Sequence, residues 1–407
     1  MATRSASITI RPRARPRARQ ASVTDRFASG SILLTIITMV LVFLGLIMIL
    51  SSSMVSSLTS NGSSFFFLKK QLMWGAIGLV GFVAFMRLDY RKFRGVGYLL
   101  VPLVLLLLVA VLVPGVGTTV GGSSRWLGLG PLTFQPSEFA KLALILFAAD
   151  VLSRKKEITL DNVWHTMLPI VPVMGAMALL VILQPDLGTT LMIGAIGLGM
   201  LFVAGAPLRY VLPLGAVALA MATMASLAAP YRRARVMAFL DPWADPLNTG
   251  YQTIQGLIAL GSGGWFGVGL GASRQKWNYI PNAHTDYIFS ILGEEMGLFG
   301  TFVVLGMFAA LAYLGIRTAR KAPDRFGMFL AAGITIVVSF QAVVNIGAVT
   351  ATLPITGVPL PLVSFGGSSL VITLISMGVL TNIARQSEGL GRRKKKPAAR
   401  RSTRSRA

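Results

Sequence analysis

Residues 274–297 read RQKWNYIPNAHTDYIFSILGEEMG, and the interpretation of the whole chain depends on this stretch. It is polar and irregular as far as Thr285, and it then becomes an apolar run of about thirty residues. One carboxylate, Asp286, lies where the loop changes into a long hydrophobic helix. An acid in that place is costly to keep away from water, so its presence indicates a function.

The composition is that of a membrane protein. The chain has 407 residues, 54% of them hydrophobic and 13% charged, with a mean hydropathy of +0.70; soluble domains carry about 25% charged residues. The apolar runs are continuous rather than alternating, which favours helices over a barrel. We therefore predict an all-α polytopic membrane protein with about ten transmembrane helices, at 32–50, 71–86, 97–113, 138–152, 167–183, 187–205, 210–229, 286–316, 327–352 and 363–384.

Basic residues are concentrated at the two ends of the chain, whose net charge is +24. We expect a disordered basic tail at 1–30, a transmembrane domain at 31–385 and a second basic tail at 386–407. Such charge can indicate nucleic-acid binding, but the tails lack interleaved aromatic residues, so a topological signal that contacts anionic lipid is preferred. An inside N-terminus keeps most lysines and arginines inside, which predicts that both termini are cytoplasmic.

The same alternation places four segments at the outer face: 114–136, 184–186, a long loop at 230–285 between the seventh and eighth spans, and 353–362. All candidate chemistry lies in or beside them. Within the long loop, 231–246 (YRRARVMAFLDPWADP) predicts a short amphipathic helix broken by prolines. The apolar, glycine-rich 254–271 predicts a segment that dips back into the membrane surface against protein.

Two polar clusters near the membrane edge each allow two interpretations. Glu138 and Lys141 share one helix face, which fits a structural ion pair or, with Arg125, a cationic site for an anion such as phosphate. Asp186, at the start of a span, fits a helix N-cap or a polar contact at the rim of a groove.

Asp286 also has a structural alternative, an N-cap, beside its functional one as a general base of raised basicity. His284 is a second possible base, without the partner pattern of a nucleophile site. Glu294 and Glu295 lie deeper, and one of them should meet a cation or a backbone donor. The glycines and serines at 366–369 open the last span as an anion-friendly helix N-terminus or as packing residues.

These features fit a transporter about as well as an enzyme that acts on a lipid-linked substrate. There are no cysteines, and the two histidines, His165 and His284, are far apart, so no metal site is indicated and no cofactor is expected, although a divalent cation could bridge a carboxylate and a phosphate. Nucleotide-binding and Ser/His/Asp motifs are absent from the sequence.

Six ordered motifs resemble the SEDS family (shape, elongation, division and sporulation) of peptidoglycan glycosyltransferases, over about 30–385. They are RWLGLGPLTFQPSEFAK at 125–141, QPDLGT at 184–189, FLDPWADPLNTGYQ at 239–252, GSGGWFGVGLG at 261–271, HTDYIFSILGEEMG at 284–297 and PLPLVSFGGSSL at 359–370. The region 231–252 and the run 273–286 resemble the division branch more than the elongation branch, which remains an alternative.

The resemblance implies that the chain polymerises lipid II at the outer face of the cytoplasmic (inner) membrane, at the division septum. It implies Asp286 as the general base, with Arg125, Lys141 and Lys276 offsetting the charge of the diphosphate leaving group. It further implies a class B penicillin-binding protein as partner, alongside other division proteins. The candidate substrate-binding residues are Arg125, Trp126, Gln135, Ser137, Glu138, Lys141, Gln184, Asp186, Lys276, His284, Thr285, Ser364, Gly366, Gly367, Ser368 and Ser369.

Two positions depart from the family pattern. Thr356 stands where many division members carry Lys, so a cation or gate supplied by that Lys must come from elsewhere. Phe365 stands where Tyr is usual, which removes one hydroxyl. Two other functions are weighed against polymerisation: a lipid II flippase, which predicts charges along the whole membrane path, and a scaffold for the transpeptidase, which leaves the buried charges unexplained.

Overall fold

The computed structural model describes residues 29–120, 123–129, 132–155, 163–228, 230–277 and 279–389. The elements, in chain order, are α1 (Gly30–Asn61), α2 (Phe66–Arg87), α3 (Val96–Leu112), β1 (Gly117–Val120), β2 (Ser123–Leu129), β3 (Leu132–Phe134), α4 (Pro136–Arg154), α5 (Val163–Leu183), α6 (Leu187–Val203), α7 (Leu208–Ala228), α8 (Pro230–Leu240), α9 (Tyr251–Ser262), α10 (Ile288–Lys321), α11 (Arg325–Val349) and α12 (Gly367–Ser387). Short 3₁₀ turns follow α2 at Tyr90–Phe93 and α8 at Pro242–Ala244.

The predicted fold class is confirmed, because a helix lies at each of the ten predicted spans. Seven helices (α1, α2, α5, α7, α10, α11 and α12) are long and apolar enough to cross a membrane. Helices α3 and α6 are apolar with 17 residues each, and α4 is less apolar because Glu138, Lys141, Asp150 and Arg154 lie on it. The first span shows the largest boundary difference, since α1 continues to Asn61. The predicted tails lie almost entirely outside the described residues.

A small antiparallel sheet was not predicted in the segment between α3 and α4. Its strand order is β1-β2-β3. Thr118 pairs with Trp126 across β1 and β2, with a register shift after Thr118, and Gly128 pairs with Thr133 across β2 and β3. The sequence RWLGLG alternates too briefly to distinguish a strand from a loop. The sheet fixes Arg125 and Trp126 beside the start of α4.

Helix α11 lies at the centre of the bundle and positions the site. It packs against α4, α6 and α10, while α12 packs against α1 and α2. In α12, 89% of the apolar window is buried inside the protein, and in α11 72%, against 11% in α7. Helices α11 and α12 are therefore the buried central helices of the bundle, whereas α7 is a peripheral helix with most of its surface exposed.

The glycine-rich segment after α9 fills a break in α10. Gly297 interrupts that helix with φ 68° and ψ −168°, a left-handed φ that glycine adopts at little cost. The backbone groups freed by the break take four hydrogen bonds of 2.9–3.1 Å: Val268 to Glu294, Gly269 to Glu295, Leu298 to Gly264 and Phe299 to Trp265. The backbone of the segment that was predicted to re-enter the membrane surface is thus bonded to α10 at its break.

Candidate functional site

Asp286 is not a helix cap. Helix α10 begins at Ile288 after Tyr287, and no side chain caps its first turn. The half-buried Asp286 carboxylate instead accepts a hydrogen bond of 2.9 Å from the hydroxyl of Thr285. Burial raises the pKa of Asp286, although the Thr285 hydrogen bond and the positive charge of Arg235 oppose the rise. The result is a carboxylate of increased basicity, as a general base requires.

Asn345 of α11 fixes the main chain at Asp286. Its amide nitrogen donates to the carbonyl oxygen of Asp286 and to that of Val358, each at 2.8 Å. The side chain is 1% exposed, so these bonds form away from water and hold their geometry firmly. Asp286 is therefore anchored to the central helix and to the irregular segment that precedes α12.

His284 lies in an aromatic pocket rather than in a catalytic pair. Its ring centroid lies 4.2 Å from that of Phe67 and 5.5 Å from that of Phe365. Burial lowers the pKa of His284 to about 4, so the ring is neutral near pH 7 and is a weak base. The Phe365 amide donates to the His284 carbonyl at 2.9 Å. His284 thus joins the stretch around Asp286 to the start of α12.

The predicted ion pair between Glu138 and Lys141 forms, at 2.9 Å. The Lys141 ammonium also donates to the side-chain oxygen of Gln341 at 3.0 Å, and the Gln341 amide donates to the Pro359 carbonyl at 2.9 Å. The charge pair is therefore tied through α11 to the same irregular segment that Asn345 holds. The structural interpretation of this pair holds, and Lys141 has two partners before any substrate binds.

Asp186 caps a helix and also collects partners from two other segments. Its carboxylate accepts from the amide of Thr189, at 3.0 Å, as an N-cap does. It also accepts from Gln135 at 3.0 Å and lies 3.7 Å from a guanidinium nitrogen of Arg125. Arg125 donates further to the Gln184 and Pro185 carbonyls. The N-cap interpretation of Asp186 is thus confirmed, and its carboxylate also joins Gln135 and Arg125 to the start of α6.

In the segment 364–369, the two glycines, Gly366 and Gly367, pack closely against α2. The Gly366 amide donates to Gln71 at 3.3 Å, and a Cβ on Gly367 would lie 2.5 Å from the Trp74 ring nitrogen. This arrangement favours the packing interpretation over the anion site. The hydroxyls of Ser364 and Ser368 accept from the amides of Leu360 and Gln135, and Ser369 is half-buried on the same turn.

Three other predicted residues take no part in this network through the bonds the structure shows. Trp126 is half-buried on β2, and Ser137 is fully buried in α4. The ammonium of Lys276 donates to the Gly271 carbonyl within the loop, so the expectation that Lys276 serves the leaving group finds no geometric support.

Glu294 and Glu295 hold the loop before Asp286, and the prediction that one of them meets a backbone donor is confirmed at Glu294. Glu294 accepts from the Ser273 hydroxyl at 2.5 Å and the Arg274 amide at 2.8 Å. Glu295 accepts from Ser51 of α1 at 2.5 Å. Both carboxylates are 1% exposed. They therefore order the loop. Among the described residues, no group of three or more His, Cys, Asp or Glu could hold a metal ion.

Sequence reasoning missed three residues of the site: Arg235, Gln341 and Asn345. The two amides are polar groups in an apolar helix, four residues apart and so on one face, which could have indicated them. Arg235 lies on the predicted amphipathic helix, now α8, but nothing in the sequence distinguishes it from Arg232 and Arg233.

The network thus brings together Asp286, Lys141, Asp186 and the start of α12 at one end of the membrane helix bundle. The model of the cell cycle protein family of FtsW, RodA and SpoVE matches residues 31–389, and the chain belongs to that family. It is 43% identical over 366 residues to the stage V sporulation protein E of Bacillus subtilis, covering 90% of this chain and 100% of that protein.

Relatives of the division branch and solved structures agree with this family assignment. A probable peptidoglycan glycosyltransferase FtsW of Geobacter sp. (strain M18) is 41% identical over 367 residues, covering 89% of this chain and 99% of that protein. A solved chain from a peptidoglycan synthase complex superposes with a TM-score of 0.69 at 31% identity, covering 87% of this chain and 97% of that one. The RodA protein of Thermus thermophilus superposes with a TM-score of 0.64 at 30% identity, covering 87% and 96%. The predicted family is confirmed.

Proposed function

We propose that this membrane protein is a peptidoglycan glycosyltransferase that polymerises lipid II, with Asp286 as its general base. The observation that carries this is the state of Asp286, a carboxylate that caps no helix, is anchored by Asn345 and has a raised pKa. Its relatives named as peptidoglycan glycosyltransferases support the reaction class.

The reaction is an inverting displacement. The Asp286 carboxylate takes the proton from the 4-hydroxyl of the acceptor N-acetylglucosamine. The oxygen forms a bond to the anomeric carbon of the donor N-acetylmuramic acid, and the bond from that carbon to the diphosphate breaks. Undecaprenyl diphosphate leaves with the bonding electrons, so an α linkage becomes a β linkage. A diphosphate leaves as an anion, and one base therefore suffices where glycosidases need two carboxylates.

The arrangement of charge favours polymerisation over the two other functions. The Asp186 cluster, the Glu138–Lys141 pair and Asp286 lie toward one end of the bundle, whereas a flippase needs polar groups along the whole membrane path. A scaffold has no use for a base of raised pKa in a position that costs free energy.

The partner and the location follow from the same proposal. A class B penicillin-binding protein would lie beside the chain in the membrane, since a similar solved chain comes from a peptidoglycan synthase complex. Other division proteins would regulate the pair at the septum of the cytoplasmic membrane. Both termini are cytoplasmic in this arrangement, the long loop faces outward, and the basic tails contact anionic lipid.

The test is a polymerisation assay in liposomes with the cognate transpeptidase, labelled lipid II and a β-lactam that blocks crosslinking. Wild type should give a ladder of glycan strands, and Asp286→Asn should give none while it still assembles with the partner. A ladder from both proteins would move the base elsewhere, with Glu138 and Asp186 tested next. No ladder from either, with an intact complex and lipid II that another polymerase accepts, would contradict the proposed function.

A further inference from the structure

An apolar groove opens between α5, α6 and α7. It has a volume of about 440 Å³, within the range of small-molecule sites, and its walls are almost entirely apolar. Its lining residues include Ile182, Thr190 and Ala222, from the halves of these helices that adjoin the 184–186 turn and α8. One end of the groove is therefore at the same end of the bundle as Asp286.

Arg232 of α8 lies at the mouth of this groove. Its guanidinium donates to the carbonyl of Ala225 in α7 at 3.1 Å and to that of Ile182 in α5 at 3.3 Å. Ile182 lines the groove, and Ala225 lies one turn beyond Ala222, which also lines it. A guanidinium has five N–H donors, so these two bonds leave capacity for an anion. A cation thus stands where an apolar channel meets the polar surface.

Arg235 continues this positive edge toward the base. It lies three residues after Arg232, on the same face of α8, where side chains of adjacent turns have Cβ atoms about 5–6 Å apart. Its charge acts on the Asp286 carboxylate, and its guanidinium is 3.8 Å from the position that a Cβ on Gly357 would take. Helix α8 therefore presents two guanidinium groups, that of Arg232 beside the groove and that of Arg235 near Asp286.

We propose that the groove between α5, α6 and α7 binds the prenyl chain of the glycosyl donor, and that Arg232 and Arg235 bind its diphosphate. This inference rests on the proposed function and assigns the leaving group to residues different from those expected from the sequence. The two α8 arginines join an apolar channel to the base. Guanidinium groups suit phosphate oxygens because they can donate two parallel hydrogen bonds.

The chain offers matched variants for a test. Gly194 lines the groove, and a Cβ there would meet no atom within 4 Å. Gly194→Leu therefore fills the groove without a backbone clash. Gly306 of α10 is equally open but lies outside the groove, so Gly306→Leu is its control. Arg233 is exposed on α8, and Arg233→Gln removes the same charge as Arg232→Gln and Arg235→Gln without touching the proposed site.

The experiment measures the dissociation constant of undecaprenyl diphosphate for the full-length protein in phosphatidylcholine nanodiscs. We expect Gly194→Leu, Arg232→Gln and Arg235→Gln each to weaken binding by about tenfold or more, because each loses tail contacts or a charge-assisted hydrogen bond. Gly306→Leu and Arg233→Gln should stay within about twofold of wild type. Arg232→Lys should recover part of the loss if Arg232 acts as a cation, and none if it only joins α5 to α7.

Three outcomes would overturn the inference. These are wild-type affinity in Gly194→Leu, wild-type affinity in both arginine variants, and equal competition by phosphatidylglycerol, which would make the groove a general anionic-lipid site. The polymerisation assay separates this inference from the proposed function. If the variants bind undecaprenyl diphosphate as expected but the wild-type protein makes no glycan, the proposed function is wrong and the proposed binding site stands. If the three variants make glycan at the wild-type rate, the proposed binding site is wrong and the proposed function stands.

Discussion

Asp286 and Asp324 lie at opposite ends of the bundle. They are alike in their place relative to a helix but differ in the hydrogen bonds that their carboxylates accept. Each stands just before a long helix. Asp324 caps α11 by accepting from the Gly327 amide at 2.9 Å, and it also accepts from the Tyr90 hydroxyl at 2.8 Å and from Arg91 at 2.7 Å. Asp286 accepts from the Thr285 hydroxyl and caps nothing.

The protonation of the two carboxylates differs accordingly. Burial raises the pKa of Asp324, but the hydrogen bonds from Gly327, Tyr90 and Arg91 outweigh it and hold the pKa below its usual range. At Asp286 burial prevails and the pKa is raised. A carboxylate whose bonds are all satisfied stabilises the fold and is a poor base, whereas one left partly desolvated is ready to accept a proton.

The largest expected difference is between Asp286→Asn and Asp324→Asn. Loss of the base should lower the polymerisation rate by about 10²–10⁴-fold, with little change in thermal stability, because Asp286 has few bonds to lose. Asp324→Asn should lower the free energy of unfolding by about 1–3 kcal/mol and leave the rate of the folded protein within about twofold. Rates from labelled lipid II and melting of the purified protein measure both. If Asp324→Asn lost activity while keeping its full stability, the assignment of a purely structural role to Asp324 would be wrong.

A smaller effect is expected when the anchor of Asp286 is removed. Asn345→Leu takes away the donor to the Asp286 and Val358 carbonyls, so the base can shift, and a misplacement near 1 Å costs about 10²-fold in rate. We expect kcat to fall while KM stays near the wild-type value, because substrate contacts remain.

The matched control for that variant is Asn382→Leu, at the other end of the bundle. Asn382 is also a buried amide that donates to a main-chain carbonyl, that of Met86, at 2.7 Å. It should lose similar stability, about 1–3 kcal/mol, with kcat unchanged. Equal losses of kcat in both variants would show that Asn345 acts only through stability.

The spans and Asp286 were predictable because each depends on local sequence. Membrane crossing is decided by about twenty consecutive residues, and a carboxylate at a seam between loop and helix is visible without a structure. Asn345 and Arg235 were not, because their roles depend on which segments meet. The bond between Asn345 and Asp286 joins residues 59 positions apart, and no spacing rule reaches that far. The aromatic pocket around His284 could not be predicted either, because it is formed by Phe67 and Phe365, which are distant in the sequence.

The smallest expected effect tests the hydrogen bond that the Thr285 hydroxyl donates to the Asp286 carboxylate. The Thr285 hydroxyl favours the charged carboxylate and so lowers the pKa of Asp286. Thr285→Val should therefore raise that pKa further. Since the base works only when deprotonated, the acid limb of the pH–rate profile should move to higher pH, by about one unit. Burial raises the pKa of Tyr287, so its phenol does not titrate across this limb.

The control for Thr285→Val is Thr318→Val, which removes a hydroxyl bound to the Leu314 carbonyl at 2.8 Å in the distant part of α10. Its pH profile should match that of wild type. A limb that stays in place in Thr285→Val would assign the titration to another group, and a shift to lower pH would reverse the role given to Thr285. Either result would remove the contrast between a satisfied and an unsatisfied aspartate on which the assignment of Asp286 depends.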